Sequence, residues 1–446
     1  LGESDIRFCF EKGVRLIVDS LNDDLFPAVM EEMLDFDNYN NYQIYMLPGM
    51  AEAYTDQRKR FAESFARYGV GWMESRRTTE KRWLHGSVKS LINNIKYLKR
   101  STIVSRIRGM LPKDVPYIII GAGPSLKKEI KTLLEYRDRA VLVAADTASV
   151  YLLQNNIVPD IVISVESDRV MKDFADDRVH DSVLFCKVNS TFKLLELNRG
   201  GIVFGFDEDE FVNRIYRENG VPLPLYRGGL NTTTFAYSML DEIGVDTVIL
   251  TGQDMCFGDE GETHVMERNY YEVKKSDEKF YVTNNQGQKV RSRYDWAQSV
   301  QWYENAIYDT SVKSVINTSL LGARIEGTDV MPLEDALKKY GKKHEDIKNI
   351  VLSLPGVFDK RSIFDENVIY EEMKKEIKEI NQKKESSIES DDKDKSFKNI
   401  LKKYGITPNY RTYDLIRKYM IADEKEDIEK SVDAGIKEIS EILSKI

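Results

Sequence analysis

Val115-Pro-Tyr-Ile-Ile-Ile-Gly-Ala-Gly-Pro-Ser-Leu126 decides the fold of this chain. Four apolar residues, Tyr117 to Ile120, run straight into Gly121, Gly123, Pro124 and Ser125, and a helix-like segment follows. The pattern predicts a buried strand, a tight glycine turn and a helix start. Amides at a helix start point outward and the helix dipole favours an anion there, so the turn reads as a nucleotide-phosphate cradle. A dinucleotide fingerprint wants a third glycine three residues on, where this chain has Leu126. Pro124 presets the first helical turn instead, and Ser125 offers a hydroxyl. The departure points away from nicotinamide redox chemistry.

From 116 to about 330, strand-like and helix-like segments alternate, which predicts an α/β, Rossmann-like doubly wound sheet. Expected strands are Tyr117–Ile120, Ala140–Ala144, Ile161–Val165, Val183–Val188, Ile202–Phe206, Thr247–Leu250 and Ser314–Ile316. Expected helices are Ser125–Tyr136, Thr147–Asn155 and Thr232–Ile243. Lys279 to Arg291 reads as an inserted β-hairpin with Asn285 to Gly287 at its tip. We expect residues 1–60 to form a partial N-terminal α/β domain, 61–110 a helical linker, 111–335 the central domain and 336–446 a C-terminal helical domain. Within the last, 381–398 is charged and nearly devoid of apolar residues, the composition of a solvated helix end or a disordered linker. The chain opens on Leu1 rather than Met, which reads as a fragment lacking an N-terminal piece.

Composition narrows the function classes. The 446 residues are 41% apolar, ordinary for globular protein, and carry a net charge of −9. No global basic field exists to gather nucleic acid. Cys9, Cys186 and Cys256 lie far apart without metal-ligand spacing, which fits a reducing, cytoplasmic setting without a disulfide frame or zinc site. No apolar run approaches the roughly 18–20 residues of a membrane span.

Open α/β sheets bind ligands at the carboxyl ends of their strands, so the residues there are the candidates. Asp146, after the second strand, is placed either to hold ribose hydroxyls or to cap the next helix. Glu166 and Asp168 follow the third strand as acid, base or metal-ligand candidates, or as parts of a solvated loop. Arg227, Gly228, Gly229, Leu230, Asn231 and Thr232 to Thr234 open a later helix; one Thr suffices as a cap, and the surplus of hydroxyls points to a ligand-facing surface. Val248 to Thr251 delivers Gly252, Gln253 and Asp254 to the same edge, and a polar loop leads on to His264. Of the four histidines only His264 has such a context, and neutral imidazole suits a general base. Cys256 reads as packing, and Asn317 with Ser319 completes the rim.

Taken in order, GAGPSL, AADTA, PDIVISVESD, GGLNTTT, ILTGQD and INTSLLGARIEGT resemble the motility accessory factor (Maf) family of flagellin glycosyltransferases over roughly 116–335. That family shares its central domain with archaeal hydroxymethylpterin pyrophosphokinase-like proteins and is similar to bacterial sialyltransferases. The resemblance implies transfer of a nonulosonic acid, of pseudaminic or legionaminic type, from a CMP-activated donor to Ser or Thr of flagellin in the cytoplasm. It implies that Gly121, Gly123, Pro124, Ser125 and Asp146 hold CMP, and that Arg227, Gly229, Asn231, Thr232, Thr233, Gln253, Asn317 and Ser319 line the donor pocket. His264 is the implied base. The sialyltransferases carry Asn where this chain has Ala122 and Asp146, so Asp168 and Asp254 stay open for that role. No metal is expected to be essential, with magnesium left open by Asp168 and Asp254. Two rival readings remain: a magnesium-dependent pterin pyrophosphokinase and a non-catalytic flagellin-binding chaperone.

Overall fold

A computed structural model of the chain describes residues 90–167, 174–205, 210–224, 231–258, 260–266 and 280–358, with 364–365, 367–368 and 370–371 beyond them. Nine parallel strands form one sheet: β1 (Thr102–Ile103), β2 (Tyr117–Ile120), β3 (Val141–Ala145), β4 (Ile161–Ser164), β5 (Val183–Cys186), β6 (Ile202–Phe204), β7 (Thr247–Thr251), β10 (Ser314–Asn317) and β11 (Asp329–Val330). Their order is β1-β6-β5-β4-β3-β2-β7-β10-β11. The inserted hairpin is present as β8 (Tyr281–Thr283) and β9 (Lys289–Arg291), an antiparallel pair apart from the sheet.

The strands are apolar end to end because both faces are covered. Alternate residues point to opposite sides. Tyr117, Ile119, Val141, Val143, Val248 and Leu250 face one helical layer, built from α5 (Thr232–Ile243), α6 (Tyr294–Tyr308) and α8 (Ile347–Ser353). Ile118, Ile120, Leu142, Ala144 and Ile249 face the other, with α1 (Leu126–Glu135), α2 (Asp146–Gln154) and α7 (Leu333–Tyr340). Beyond β4 that second layer continues with Ile92, Ile95, Leu98, α3 (Phe192–Leu197) and α4 (Glu210–Glu218).

The doubly wound α/β class and all seven expected strands are present, with ends moved by one or two residues. Two expectations about boundaries change. Residues 90–103 are not a linker: Leu91, Ile92, Ile95 and Leu98 are buried beneath the sheet and Thr102–Ile103 is its edge strand, so the central fold begins before 111. Nor do α7 and α8 start a separate helical domain, since Leu333, Ala336, Leu337, Ile347 and Val351 belong to the sheet's own core. The expected domain at 1–60 and the segment 372–446 lie outside the described residues.

From β2 the chain winds through β3, β4, β5 and β6 to one side, then returns to place β7, β10 and β11 on the other. The carboxyl ends of β2 and β7 therefore flank the point where the winding reverses, the place where open α/β sheets form their ligand crevice. Among the described residues no helix is long and apolar enough to cross a membrane.

Candidate active site

The loops leaving β2 and β7 interlock. Gly121 N–H donates to Thr251 O and Gly123 N–H to Gly252 O, both at 2.8 Å. A Cβ on Gly121 would run into the Gly252 carbonyl, and one on Gly252, whose φ is +63°, would run into the Gly121 carbonyl. The glycines are thus required by the approach of one loop to the other. Asp254, two residues further, swings its carboxylate over the turn: Oδ2 accepts from Ser125 N at 2.8 Å and fills the space a Gly123 side chain would need.

This changes the reading of the turn. Helix α1 starts at Leu126, with Ser125 as its N-cap in helical conformation and Pro124 just outside. The amides of Leu126, Lys127 and Lys128 bond back to Gly123, Pro124 and Ser125. Within 121–125, Ala122 N–H is the amide without an acceptor among the described residues. The Ser125 hydroxyl does not cap its helix; it meets the Ser319 hydroxyl at 3.3 Å. In place of a ring of outward amides, the turn presents one amide, two hydroxyls and a carboxylate.

Two further loops close on it. Val265 N–H donates to Ala122 O at 2.8 Å, which brings His264 beside the turn; its Nδ1 lies 3.0 Å from the Thr263 hydroxyl. The hairpin tip docks through Asn285, whose side-chain amide donates to Ser319 O at 2.9 Å. Asn317 is fully buried and shapes this rim, accepting from Ser319 N at 3.0 Å. The structure thus gathers Gly121, Gly123, Pro124, Ser125, Asp254, His264, Asn317 and Ser319 at the reversal point.

Other expected residues prove to be built into the scaffold. Gln253 is turned inward: its amide donates to Ile119 O at 3.2 Å and its carbonyl accepts from the Tyr303 phenol at 2.7 Å. Asn231 is a helix cap, accepting from the amides of Thr233 and Thr234 at 3.0 Å, while the Thr234 hydroxyl returns a bond from Asn231 N. The Thr233 hydroxyl also donates to Asn231, at 2.8 Å. Thr232 alone of that group makes no side-chain hydrogen bond among the described residues and stays half-buried. Asp146 is buried as the first residue of α2, where its Oδ1 accepts from Thr147 N at 2.7 Å; the N-cap position is Ala145, so Asp146 is not the helix cap. Asp168, Arg227 and Gly229 lie outside the described residues.

Two charged residues escaped the sequence reading. Glu129, on the first turn of α1, has its carboxyl pushed up by burial, against a smaller opposite pull from Lys128, with the charge of Asp254 adding a lesser push upward. A first-turn glutamate looks like ordinary dipole compensation, so sequence gives no separate signal for it. Lys187, just past β5, holds its ammonium 5.9 Å from the Phe235 ring centre on α5. Nothing in Cys186-Lys-Val-Asn-Ser-Thr191 marks that lysine.

The family match to known proteins includes the β2 and β7 loops but ends before His264, Asn317 and Ser319. Residues 89–260 match the family described as 6-hydroxymethylpterin diphosphokinase MptE-like. A 6-hydroxymethyl-7,8-dihydropterin pyrophosphokinase of Methanocaldococcus jannaschii is 34% identical over 77 residues, covering 17% of this chain and 32% of the relative. Its counterpart in Methanothermobacter thermautotrophicus is 33% identical over 66 residues, 14% of this chain and 28% of the relative. The chain thus spans about a third of the length of the curated relatives it matches. A solved Maf glycosyltransferase from Magnetospirillum magneticum superposes with a TM-score of 0.49 at 16% identity, covering 81% of this chain and 59% of that one. The matched residues 89–260 overlap the central domain expected at 111–335 and contain five of the six motifs.

Proposed function

We propose that this protein is a glycosyltransferase that moves a nonulosonic, sialic-acid-like sugar of pseudaminic or legionaminic type from a CMP-activated donor to Ser or Thr hydroxyls of flagellin in the cytoplasm, as flagellum assembly and motility would require. The observation that carries the reading is the convergence at the β2/β7 reversal: the turn bearing Ala122 N–H and Ser125, the Ser319 rim, and the His264 loop tied to Ala122 at 2.8 Å. The ordered motif set supplies the chemistry class.

In this reading the acceptor hydroxyl attacks the anomeric carbon of the sugar, the bond from that carbon to the phosphate oxygen breaks, and CMP departs with the electron pair. His264 removes the hydroxyl proton. The Thr263 hydroxyl 3.0 Å from Nδ1 can accept Nδ1–H, a tautomer that leaves Nε2 as the base. One oxygen of Asp254 is already committed to the Ser125 amide, which favours His264 over it; Asp168 is the alternative base. Charge on the leaving phosphate meets Ala122 N–H, the Ser125 and Ser319 hydroxyls and the positive end of α1. Thr232, Arg227 and Gly229 are assigned to the donor-pocket wall, with Lys187 near the donor's acidic groups. Orientation and leaving-group stabilisation suffice without a metal, so full activity in EDTA is expected, and loss reversed by Mg²⁺ would refute that part.

Intact-mass analysis of flagellin co-expressed with the donor pathway tests the whole reading. The expected result is a mass increment with the native chain and none with His264→Ala. If His264→Ala, Asp254→Ala and Asp168→Ala each left modification intact, a flagellin-binding chaperone would replace the enzyme. The family match favours one second reading, magnesium-dependent transfer of diphosphate from ATP to a pterin with Asp146, Glu166, Asp168 and Asp254 as the candidate ligands, and against it no group of three or more metal-binding side chains comes together among the described residues. Thermal stabilisation by CMP or CTP rather than by ATP with Mg²⁺ separates the two.

A further inference from the structure

The turn that sequence reads as an anion cradle already carries an anion of the protein's own. Asp254 Oδ2 accepts from Ser125 N at 2.8 Å and lies against Gly123, with no room for a side chain between them. The position is fixed from behind. Gly252 is locked to Gly121, Gln253 is anchored to Ile119 O and Tyr303, and Asp254 O accepts from Ala323 N at 2.7 Å. These contacts fix the backbone that carries the carboxylate, so it leaves the turn only by rotating about its own side-chain bonds and giving up the Ser125 amide. A second carboxylate, Glu129, is near enough on α1 for Asp254 to raise its proton affinity. A third, Glu262, lies against Gly258 in the loop that packs on Pro124. The neighbouring cation Lys128 is exposed.

We infer that Asp254 is a charge-selectivity residue, a fixed carboxylate at the phosphate turn that disfavours metal-free polyphosphates and so restricts the site to donors bearing a single phosphate. The inference rests on the nucleotide-binding reading above and adds to it which nucleotides are refused. The physics is like-charge repulsion across a short gap, which grows with each added phosphate charge and is weakly screened beside a half-buried turn. A nucleoside triphosphate would gain little at this turn from its extra charges, where an ordinary glycine turn at a helix start rewards them.

The test is calorimetric titration of the full chain in EDTA with cytidine, CMP and CTP, with AMP and ATP, and with inorganic tripolyphosphate. The same ligands are titrated into Asp254→Asn and Glu129→Gln. Asparagine keeps an oxygen for the Ser125 amide and removes the charge. For the native chain we expect CTP to bind no tighter than CMP. In Asp254→Asn, CTP gains about tenfold over CMP, and tripolyphosphate binding appears or strengthens. Glu129→Gln, which leaves the Ser125 contact untouched, shifts the same ratio in the same direction by less, and stands as the check if Asp254→Asn folds poorly. Equal changes for CMP and CTP, or native binding of CTP at least about tenfold tighter than CMP, would overturn the inference. Failure of the cytidine series alone, with the triphosphate gain present for adenine nucleotides and tripolyphosphate, would sink the CMP reading and leave the inference standing. No gain in either variant for any polyphosphate refutes it whatever the base.

Discussion

Tyr303→Phe tests a hydrogen bond on which the site's geometry depends. The Tyr303 phenol is fully buried and donates to Gln253 Oε1 at 2.7 Å, and Gln253 itself is only 3% exposed. Burial holds that phenol protonated by pushing its pKa well above the usual tyrosine value. Phenylalanine keeps the ring and its edge-on contacts with Tyr237 and Trp302, at centroid distances of 5.7 and 5.4 Å. Packing is therefore conserved, and the loss is a buried amide oxygen without a donor, worth about 1–3 kcal/mol. With a urea slope of about 3 kcal/mol/M, the unfolding midpoint falls by about 0.3–1 M at unchanged slope. Tryptophan fluorescence is the assay, since Trp302 sits beside the substitution. Combining it with Gln253→Met removes both polar ends, so the double variant should lose less than the sum of the singles. Strict additivity, or a Tyr303→Phe loss below about 0.5 kcal/mol, would mean that Gln253 is not held by this bond.

Three further outcomes follow from the same geometry. Gly252→Ala combines a φ of +63° with collision against the Gly121 carbonyl, and should cost more than about 1 kcal/mol in urea unfolding. Gly287→Ala at the exposed hairpin tip has a positive φ but open space around it, and should cost less. Glu129→Gln should raise stability at pH 7 relative to pH 4. The folded carboxyl holds its proton more tightly than the unfolded one, so stability falls as pH rises from its ordinary value of 4.5 through the raised one; an equal effect at both pH values would refute that sign. Ser319→Ala, which removes the hydroxyl facing Ser125 at 3.3 Å, should slow transfer to flagellin by more than it weakens CMP binding, read by comparing initial rates with calorimetric affinities.

The sheet was legible because its strands are continuous apolar runs buried on both faces, a pattern few other structures produce. Tyr117-Ile-Ile-Ile120 and Val141-Leu-Val-Ala-Ala145 could hardly be anything else. The short edge strands Thr102–Ile103 and Asp329–Val330 carry no such run and are strands only because β6 and β10 offer them a partner. Helix α6 was invisible for a related reason. Tyr294-Asp-Trp-Ala-Gln-Ser-Val-Gln-Trp-Tyr303, its first ten residues, mixes aromatic and polar residues without a clean apolar stripe, because it spends its inner face on Ser299 and Tyr303, which hold Asn231 and Gln253.

The candidate site shows where sequence reasoning about residue types reaches its end. Glycine after a buried strand has two physical causes: a ligand that must come close to the backbone, or another loop that must. Composition cannot tell them apart, since both need an absent Cβ. Here the second cause operates at Gly121 and Gly252, each of whose carbonyls lies where a Cβ on the other would stand. The same holds for Asn231 and Thr234, where a surplus of hydroxyls over one cap proved to be a reciprocal capping box. What these residues build is a rigid frame. The groups it leaves for chemistry are few: Ala122 N–H, the Ser125 and Ser319 hydroxyls, His264 and the fixed carboxylate of Asp254. A frame this constrained can place a phosphate on one side of a base with little reorganisation, and reorganisation is the cost that preorganised sites avoid. Loosening it at Gln253, whose side chain is turned inward to Ile119 O and Tyr303, should therefore reduce turnover more than loss of an exposed rim group such as Glu262, and a comparison of Gln253→Met with Glu262→Gln at equal protein stability would decide the point.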